Sequence, residues 1–274
     1  MNHARAIDKD TTLCISLAAR PSNHGTRFHN YLYNELGLNF VYKAFSTTDL
    51  RAAIAGLRGL GIRGCAISMP FKEAVIELVD EMRPSAAAID SVNTIVNDSG
   101  ILRAYNTDYQ AVYDLLGDTP VSEAAVAGSG GMAKAVVAAL RDAGFADVTI
   151  VARNGEAGQA LADRYGFRWQ AELGELRPSV LVNATPIGMA GGDSASALPF
   201  PESALEAASV AFDVVARPID TPFVRSARTL GLTVIDGGQV IAGQAAEQFE
   251  LYTGVRPSAE QVRAASEYAR AGAG

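Results

Sequence analysis

The sequence predicts an α/β protein made of two α/β units and a helical tail. Three observations carry this. Strand-like apolar runs alternate with helix-like segments along the chain. A glycine-rich turn near the middle joins a strand-like run to a helix-like one. From residue 238 the pattern becomes helical to the end.

Taken in order, residues 12–18 predict a strand, 26–36 a helix, 40–45 a strand, 48–60 a helix and 64–68 a strand. A helix opens at Pro70, because proline's fixed φ and missing N–H suit a first helical turn. Residues 92–96 form a short strand before the turn Asn97-Asp98-Ser99-Gly100, and 101–104 complete a hairpin. A further helix starts at Asn106-Thr107-Asp108.

The second unit begins near Val121. Residues 124–127 predict a strand, 131–143 a helix ended by Gly144, 148–152 a strand and 158–165 a helix. Residues 180–183 and 208–214 are two buried strands, and 232–235 a last short one. The Gly/Ser/Ala/Pro stretch 189–201 is a surface loop. In the tail, a helix over 238–251 stops at Thr253-Gly254, and Pro257-Ser258 opens another. Ser258 and Gln261 fit a capping box there. Two units point to two domains with a small-molecule cleft between them.

Composition narrows the function. The 274 residues are enough for two modest domains with a sizeable core. With 49% hydrophobic and 19% charged residues, the chain is globular rather than disordered. Its net charge of -7, without a block of five like charges, argues against nucleic acid as the main partner. A small anionic ligand remains open, since it needs only a local basic site. No apolar run reaches membrane-spanning length, and the polar start over 1–12 is unlike a signal peptide. Cys14 and Cys65 lie in apolar strand-like runs and are expected to be buried free thiols. His3, His24 and His29 form no metal motif with them. These features predict a cytoplasmic protein without a metal.

Two places carry chemistry. Gly128-Ser129-Gly130-Gly131-Met132-Ala133 follows a strand, opens a helix and fits G-x-G-x-x-A. The first glycine allows the tight turn, and the second lets the backbone approach a pyrophosphate. The small third residue lets helix and strand pack closely, and the helix N-terminus stabilises the phosphate charge. The competing reading is a purely structural turn. The next strand ends in Ala152-Arg153-Asn154. An acidic residue there would bind the ribose of NAD, whereas the Arg153 guanidinium suits a 2′-phosphate, so NADP is favoured over NAD. Glu156 nearby is a mild counter-signal.

The second place is built from Lys72 in Ser68-Met69-Pro70-Phe71-Lys72, Asn93 after Ser91-Val92, and Asp108. Each sits at an element end, where α/β proteins build their clefts. Alone, each is more often a surface charge or a cap. Together they allow oxidation of an alcohol: a desolvated lysine can take the hydroxyl proton, and an aspartate can hold the hydroxyl.

These motifs resemble the shikimate dehydrogenase family. Ser68–Lys72, Ser91-Val92-Asn93-Thr94, Asn106-Thr107-Asp108, Gly128–Gly131, Asn183-Ala184-Thr185-Pro186-Ile187-Gly188-Met189 and the Gln244–Phe249 helix follow in family order. The resemblance spans about residues 13 to 254 and is nearest the dehydrogenase-like branch of that family. It implies an NADP-dependent oxidoreductase interconverting shikimate and 3-dehydroshikimate, in the shikimate pathway of aromatic amino acid biosynthesis. It implies a substrate domain of residues 1–107 completed by 239–274, and a Rossmann-like NADP-binding domain of residues 108–238. Lys72 and Asp108 would be catalytic, and Ser22, Asn23, Ser68, Asn93 and Gln244 would bind substrate. Gly128, Ser129, Gly130, Gly131, Met132, Ala152, Arg153, Asn154 and Gly237 would hold the cofactor. The partner would be a small cyclic hydroxy acid, and the protein a monomer or homodimer.

The sequence also departs from the family. The serine-x-serine-proline before a histidine falls on Asn23-His24-Gly25-Thr26, so neither serine is in place, although Ser22 is adjacent. The asparagine opening the lysine motif is Ala66, an expected tyrosine is Ala216, and an expected methionine is Val240. The Asn-Arg-Thr nucleotide motif is reduced to Ala152-Arg153-Asn154. These departures predict altered substrate recognition and low efficiency on shikimate. The alternatives are a quinate or aminoshikimate-type dehydrogenase, or a non-catalytic nucleotide sensor on the same fold.

Overall fold

A computed structural model of the chain describes residues 7–117 and 119–272. Part of the polar start and His3 lie outside them, as does the last of the Ala/Gly ending. The chain forms two compact units, divided between Thr107 and Asp108 and again between Ile241 and Ala242.

The first unit contains β1 (Thr12–Leu17), α1 (His24–Glu35), β2 (Phe40–Phe45), α2 (Leu50–Gly59) and β3 (Gly64–Ile67). Then come α3 (Phe71–Ala74), a 3-10 turn over Ile76–Leu78, β4 (Glu81–Met82), α4 (Pro84–Ala87), β5 (Thr94–Asp98) and β6 (Ile101–Tyr105). Their mixed sheet runs β2-β1-β3-β5-β6-β4. β1 is parallel to β2 and β3, while β5 is antiparallel to β3 and β6. The predicted hairpin is present. Ser99 and Gly100 both take positive φ, 55° and 94°, as a two-residue turn matched to strand twist requires.

α5 (Thr107–Leu116) leads into the second unit. There follow β7 (Ala124–Ala127), α6 (Gly131–Asp142), β8 (Val148–Val151), α7 (Gly155–Tyr165), β9 (Arg168–Gln170) and β10 (Val180–Asn183). α8 (Glu202–Ala207), β11 (Val210–Asp213), α9 (Pro222–Thr229) and β12 (Thr233–Ile235) complete it. All five pairings in its sheet, β12-β11-β10-β7-β8-β9, are parallel. The order reverses at β7, so crossovers leave on both sides of β7 and β10, the switch point of a doubly wound sheet. Such strands are covered on both faces, which explains why every residue of β7, β10 and β11 is buried.

α10 (Gly237–Thr253) returns the chain to the first unit, where α11 (Ala259–Ala271) closes it. Phe249, Tyr252, Ala265 and Ala269 join Cys14, Phe28, Tyr33 and Tyr42 in one buried cluster. Tyr252 lies flat over Gly64, where any side chain would enter its ring. Arg27 donates to the Tyr268 carbonyl at 2.8 Å and covers that ring at 4.0 Å. The Ser258–Gln261 capping box forms as predicted.

The structure corrects several boundaries. Pro70 stands at the N-cap of α3 rather than inside it, and that helix lasts one turn before the chain tightens into the 3-10 segment. β5 starts at Thr94; the Val92 N–H already leaves the sheet for the Lys72 carbonyl. β4, α4, β9, α8 and α9 were not predicted; each has eight residues or fewer, too short for a clear periodicity. Cys14 and Cys65 are free and buried, in separate core clusters. Burial pushes the Cys14 thiol up to about 12, so it carries almost no thiolate at neutral pH. Among the described residues no helix is long and apolar enough to cross a membrane.

Candidate active site

In the first unit the site residues stand where β3 ends, where β5 begins and where β6 ends. After β3 the chain turns through Ser68, which is exposed, to Lys72, which is half-buried. The Val92 N–H donates to the Lys72 carbonyl at 2.8 Å, and the Asn93 carbonyl accepts from Ile67 N–H at 2.7 Å. The lysine segment is thus tied to the backbone beside Asn93.

Asn93 is 3% exposed, and its amide is held on both sides. Nδ2 donates to Thr107 Oγ1 at 3.0 Å, and Oδ1 accepts from Thr107 N–H at 2.8 Å and Thr94 Oγ1 at 2.8 Å. Gln248 donates through Nε2 to Thr94 Oγ1 at 2.9 Å, and the Thr107 hydroxyl reaches Gln244 Oε1 at 3.4 Å. These bonds use one of its two amide hydrogens and leave the other in a fixed direction. Thr94, Thr107 and Gln248 were not predicted. The signal for Gln248 was its i+4 spacing from Gln244, which puts both on one helix face.

Next to Gln248 lies His29, fully buried and stacked on Tyr42 with ring centroids 4.5 Å apart. Among the described residues neither ring nitrogen meets a partner at full hydrogen-bond geometry, the Gln248 amide being the polar group beside it. Burial pushes its pKa down to about 3, against the Gln248 amide, which favours the charged ring, and with a small further push from His24. Ser22 and Asn23 are exposed at the start of α1, and Asn23 makes no side-chain cap bond. A Cβ at Gly25 would already touch Tyr42, 3.4 Å from its hydroxyl oxygen. Asp108 lies in the first turn of α5 and belongs to the second unit.

In the second unit the glycine turn joins β7 to α6 as predicted. Gly128 has φ 115°, and a Cβ there would come 2.9 Å from the Ala184 carbonyl oxygen. It is glycine because two loops meet at the switch point. Gly130 and Gly131 differ: a Cβ at either would meet nothing within 4 Å. The first turn of α6 therefore offers open backbone N–H groups, the donors a diphosphate needs. The buried Ala133 lets α6 approach the sheet.

A cavity of about 1140 Å³ opens over this turn. Gly128, Ser129, Gly130, Ala152, Arg153 and Asn154 all line it, which brings most of the predicted cofactor residues together. Gly131 and Met132 stand in the first turn of α6, outside the cavity wall, and Gly237 lies at the start of α10, where a Cβ would run into the Val215 carbonyl. Asn154 also caps α7, accepting from Ala157 N–H at 3.1 Å. Among the described residues Arg153 is the one basic residue of the wall, which also includes Glu172, Glu175 and Asp193. The open turn, the cavity and the guanidinium together fit a dinucleotide.

The part of the wall from Thr185 to Ile187, next to the glycine turn, is held by a buried polar network. Asn183 accepts from Thr185 Oγ1 at 2.6 Å and donates to Ile187 O at 3.0 Å and Asp213 Oδ1 at 2.9 Å. Thr221 donates to Asp213 Oδ2 at 2.6 Å. Burial raises the Asp213 carboxyl, opposed by the hydrogen bonds from Thr221, Val215 and Asn183. The structural role of Asp213 was not predicted, because its pairing with Asn183 depends on strand order.

Comparison with known proteins agrees with this geometry. Residues 22–95 match the shikimate dehydrogenase substrate binding domain, and 242–265 match the shikimate 5'-dehydrogenase C-terminal domain. A shikimate dehydrogenase-like protein of Haemophilus influenzae is 56% identical over 267 residues, covering 96% of this chain and 98% of its own. The solved structure of a shikimate 5-dehydrogenase-like protein superposes with a TM-score of 0.96 at 55% identity, covering 97% of this chain and all of that one. The Thermus thermophilus shikimate 5-dehydrogenase, solved in complex with NADP(H) and shikimate, has a TM-score of 0.84 at 33% identity, covering 94% and 99%. The chain belongs to the shikimate dehydrogenase family of oxidoreductases.

Proposed function

We propose that the protein is an NADP-dependent dehydrogenase of a cyclic hydroxy acid, interconverting shikimate and 3-dehydroshikimate with low efficiency. The observation that carries the cofactor reading is the open backbone at Gly130, in the Gly128–Gly130 turn that shares a cavity wall with Arg153. A dinucleotide held by these residues would supply a hydride acceptor, its nicotinamide. Oxidation of a ring alcohol also releases the hydroxyl proton. Lys72 takes it at Nζ and returns it in the reverse direction. Asp108, the remaining amide hydrogen of Asn93 and Gln244 orient the ring hydroxyls. The Gly130–Gly131 backbone N–H groups hold the diphosphate, and Arg153 holds the 2′-phosphate.

The acid end of the substrate is recognised differently. A carboxylate taken from water needs donors or a cation. Asn23 and Gly25 stand where the family carries serines, and Ala216 where it carries a tyrosine. Room at Gly25 is limited by Tyr42. Two or three lost donors at ~0.5–1.5 kcal/mol each weaken binding by ~10–1,000-fold unless Ser22, Asn23 or Arg20 replace them.

The test is turnover of a panel of cyclic hydroxy acids with NADP and NAD, in wild type, Lys72→Ala and Arg153→Ala. Lys72→Ala should lose ~10²–10⁴-fold in turnover and still bind NADPH. Arg153→Ala should weaken NADP by ~10–150-fold and leave NAD nearly unchanged. Turnover unaffected by loss of Lys72 would remove it from the chemistry. Equal losses for both nucleotides would make Arg153 structural. No turnover by wild type of any panel member would favour the sensor reading.

A further inference from the structure

Trp169, the one tryptophan of the chain, sits on β9 behind the turn that carries Arg153. It pairs with Ile150 in the β8–β9 ladder. Its indole Nε1 donates to the Ala152 carbonyl at 3.0 Å, while the Ala152 N–H goes to the Gln170 carbonyl at 3.1 Å. The Ala152 carbonyl belongs to the peptide that joins Ala152 to Arg153. A bond to that oxygen therefore fixes the plane from which Arg153 departs.

The indole is also packed from the helix side. A Cβ at Gly155 would come 3.1 Å from the ring, and one at Gly158 would fall inside it. Both glycines lie in α7, in its first turn and the next, so the indole rests on bare helix backbone. Asn154 caps the same helix. Trp169 does not line the cavity, but Ala152, Arg153 and Asn154 on one side of it do, as do Ala171 and Glu172 on the other. It is placed to act through its neighbours rather than on a ligand.

We infer that Trp169 is a positioning residue for nucleotide choice: by holding the Ala152–Arg153 peptide, it aims the guanidinium at a phosphate on the adenosine ribose. The inference rests on the proposed NADP reading. It predicts a selective effect. A nucleotide lacking that phosphate gains little from the aim of Arg153, whereas one carrying it loses part of a charge-assisted contact when the turn loosens.

The experiment is calorimetric titration of NADP and NAD into wild type, Trp169→Phe and Gly158→Ala, with circular dichroism to establish folding. Trp169→Phe keeps an aromatic ring but removes the N–H donor together with the five-membered ring that carries it. Gly158→Ala leaves the tryptophan and displaces it from the helix side. In each variant the NADP dissociation constant should rise ~2–10-fold, the scale of one hydrogen bond, while that of NAD changes by less than about 2-fold. Equal weakening of both nucleotides, or an unchanged NADP preference in folded variants, overturns the positioning role and leaves the NADP reading standing. Wild type that binds neither nucleotide, or binds both alike, overturns the NADP reading and this inference with it.

Discussion

Asn93 and Thr107 bond to each other in both directions: the asparagine amide donates to the threonine hydroxyl at 3.0 Å, and the threonine N–H donates back to Asn93 Oδ1 at 2.8 Å. The pair joins the start of β5 to the start of α5, where the chain leaves the first unit. Thr107 is 1% exposed, so its hydroxyl has no water to fall back on. Thr107→Val keeps the shape and strands the Asn93 amide. Stability should fall by ~1–3 kcal/mol, read as a lower midpoint in denaturant unfolding. An unchanged midpoint would mean that the pair contributes nothing to the fold.

The glycine turn predicts opposite behaviour at neighbouring positions. Gly128→Ala forces a side chain into φ 115° and onto the Ala184 carbonyl, so the protein should lose stability by ~1–3 kcal/mol or more. Gly130→Ala has an ordinary φ of -82° and open space. It should melt within ~0.5 kcal/mol of wild type yet bind dinucleotide more weakly, because the methyl group occupies the approach to the backbone. Thermal melts and nucleotide titration of both variants check this. Normal nucleotide affinity in Gly130→Ala would contradict it.

His29 gives a pH dependence of definite sign. Its pKa is about 3 in the fold against an ordinary 6.5. Between those values the unfolded chain binds a proton that the folded chain refuses. The His29 contribution is thus complete above pH 6.5 and is lost as pH falls towards 3, at up to ~1.4 kcal/mol per pH unit. Since neither ring nitrogen makes a full hydrogen bond and the ring stacks on Tyr42, His29→Phe should cost little at pH 8. At pH 5 the variant should be the more stable of the two. Parallel stability–pH curves would show that His29 is not buried as a neutral ring.

How much of this was legible beforehand depends on the range of the cause. β2, β7 and β10 match their predicted ends, because each is a short and mainly apolar run set off from its neighbours by polar or turn residues. β9 is three residues long and shaped by its ladder with β8, so nothing local announces it. The Gly128 turn was legible as a motif, yet the reason for Gly128 lies in Ala184, more than fifty residues on. Lys72 and Arg153 were visible as charges at element ends. Thr107, Gln248 and Asp213 were not, because what distinguishes them is the partner that tertiary structure brings.

On the function proposed above, ring-alcohol chemistry is kept while the acid end of the site is rebuilt. The kcat/KM of wild type for shikimate with NADP, beside quinate, tests this. Turnover of shikimate should be detectable but well below ~10⁶ M⁻¹s⁻¹, with quinate no better. A shikimate value near ~10⁶ M⁻¹s⁻¹, well inside the range of efficient enzymes, would contradict it: the changes at Asn23, Gly25 and Ala216 would then be silent.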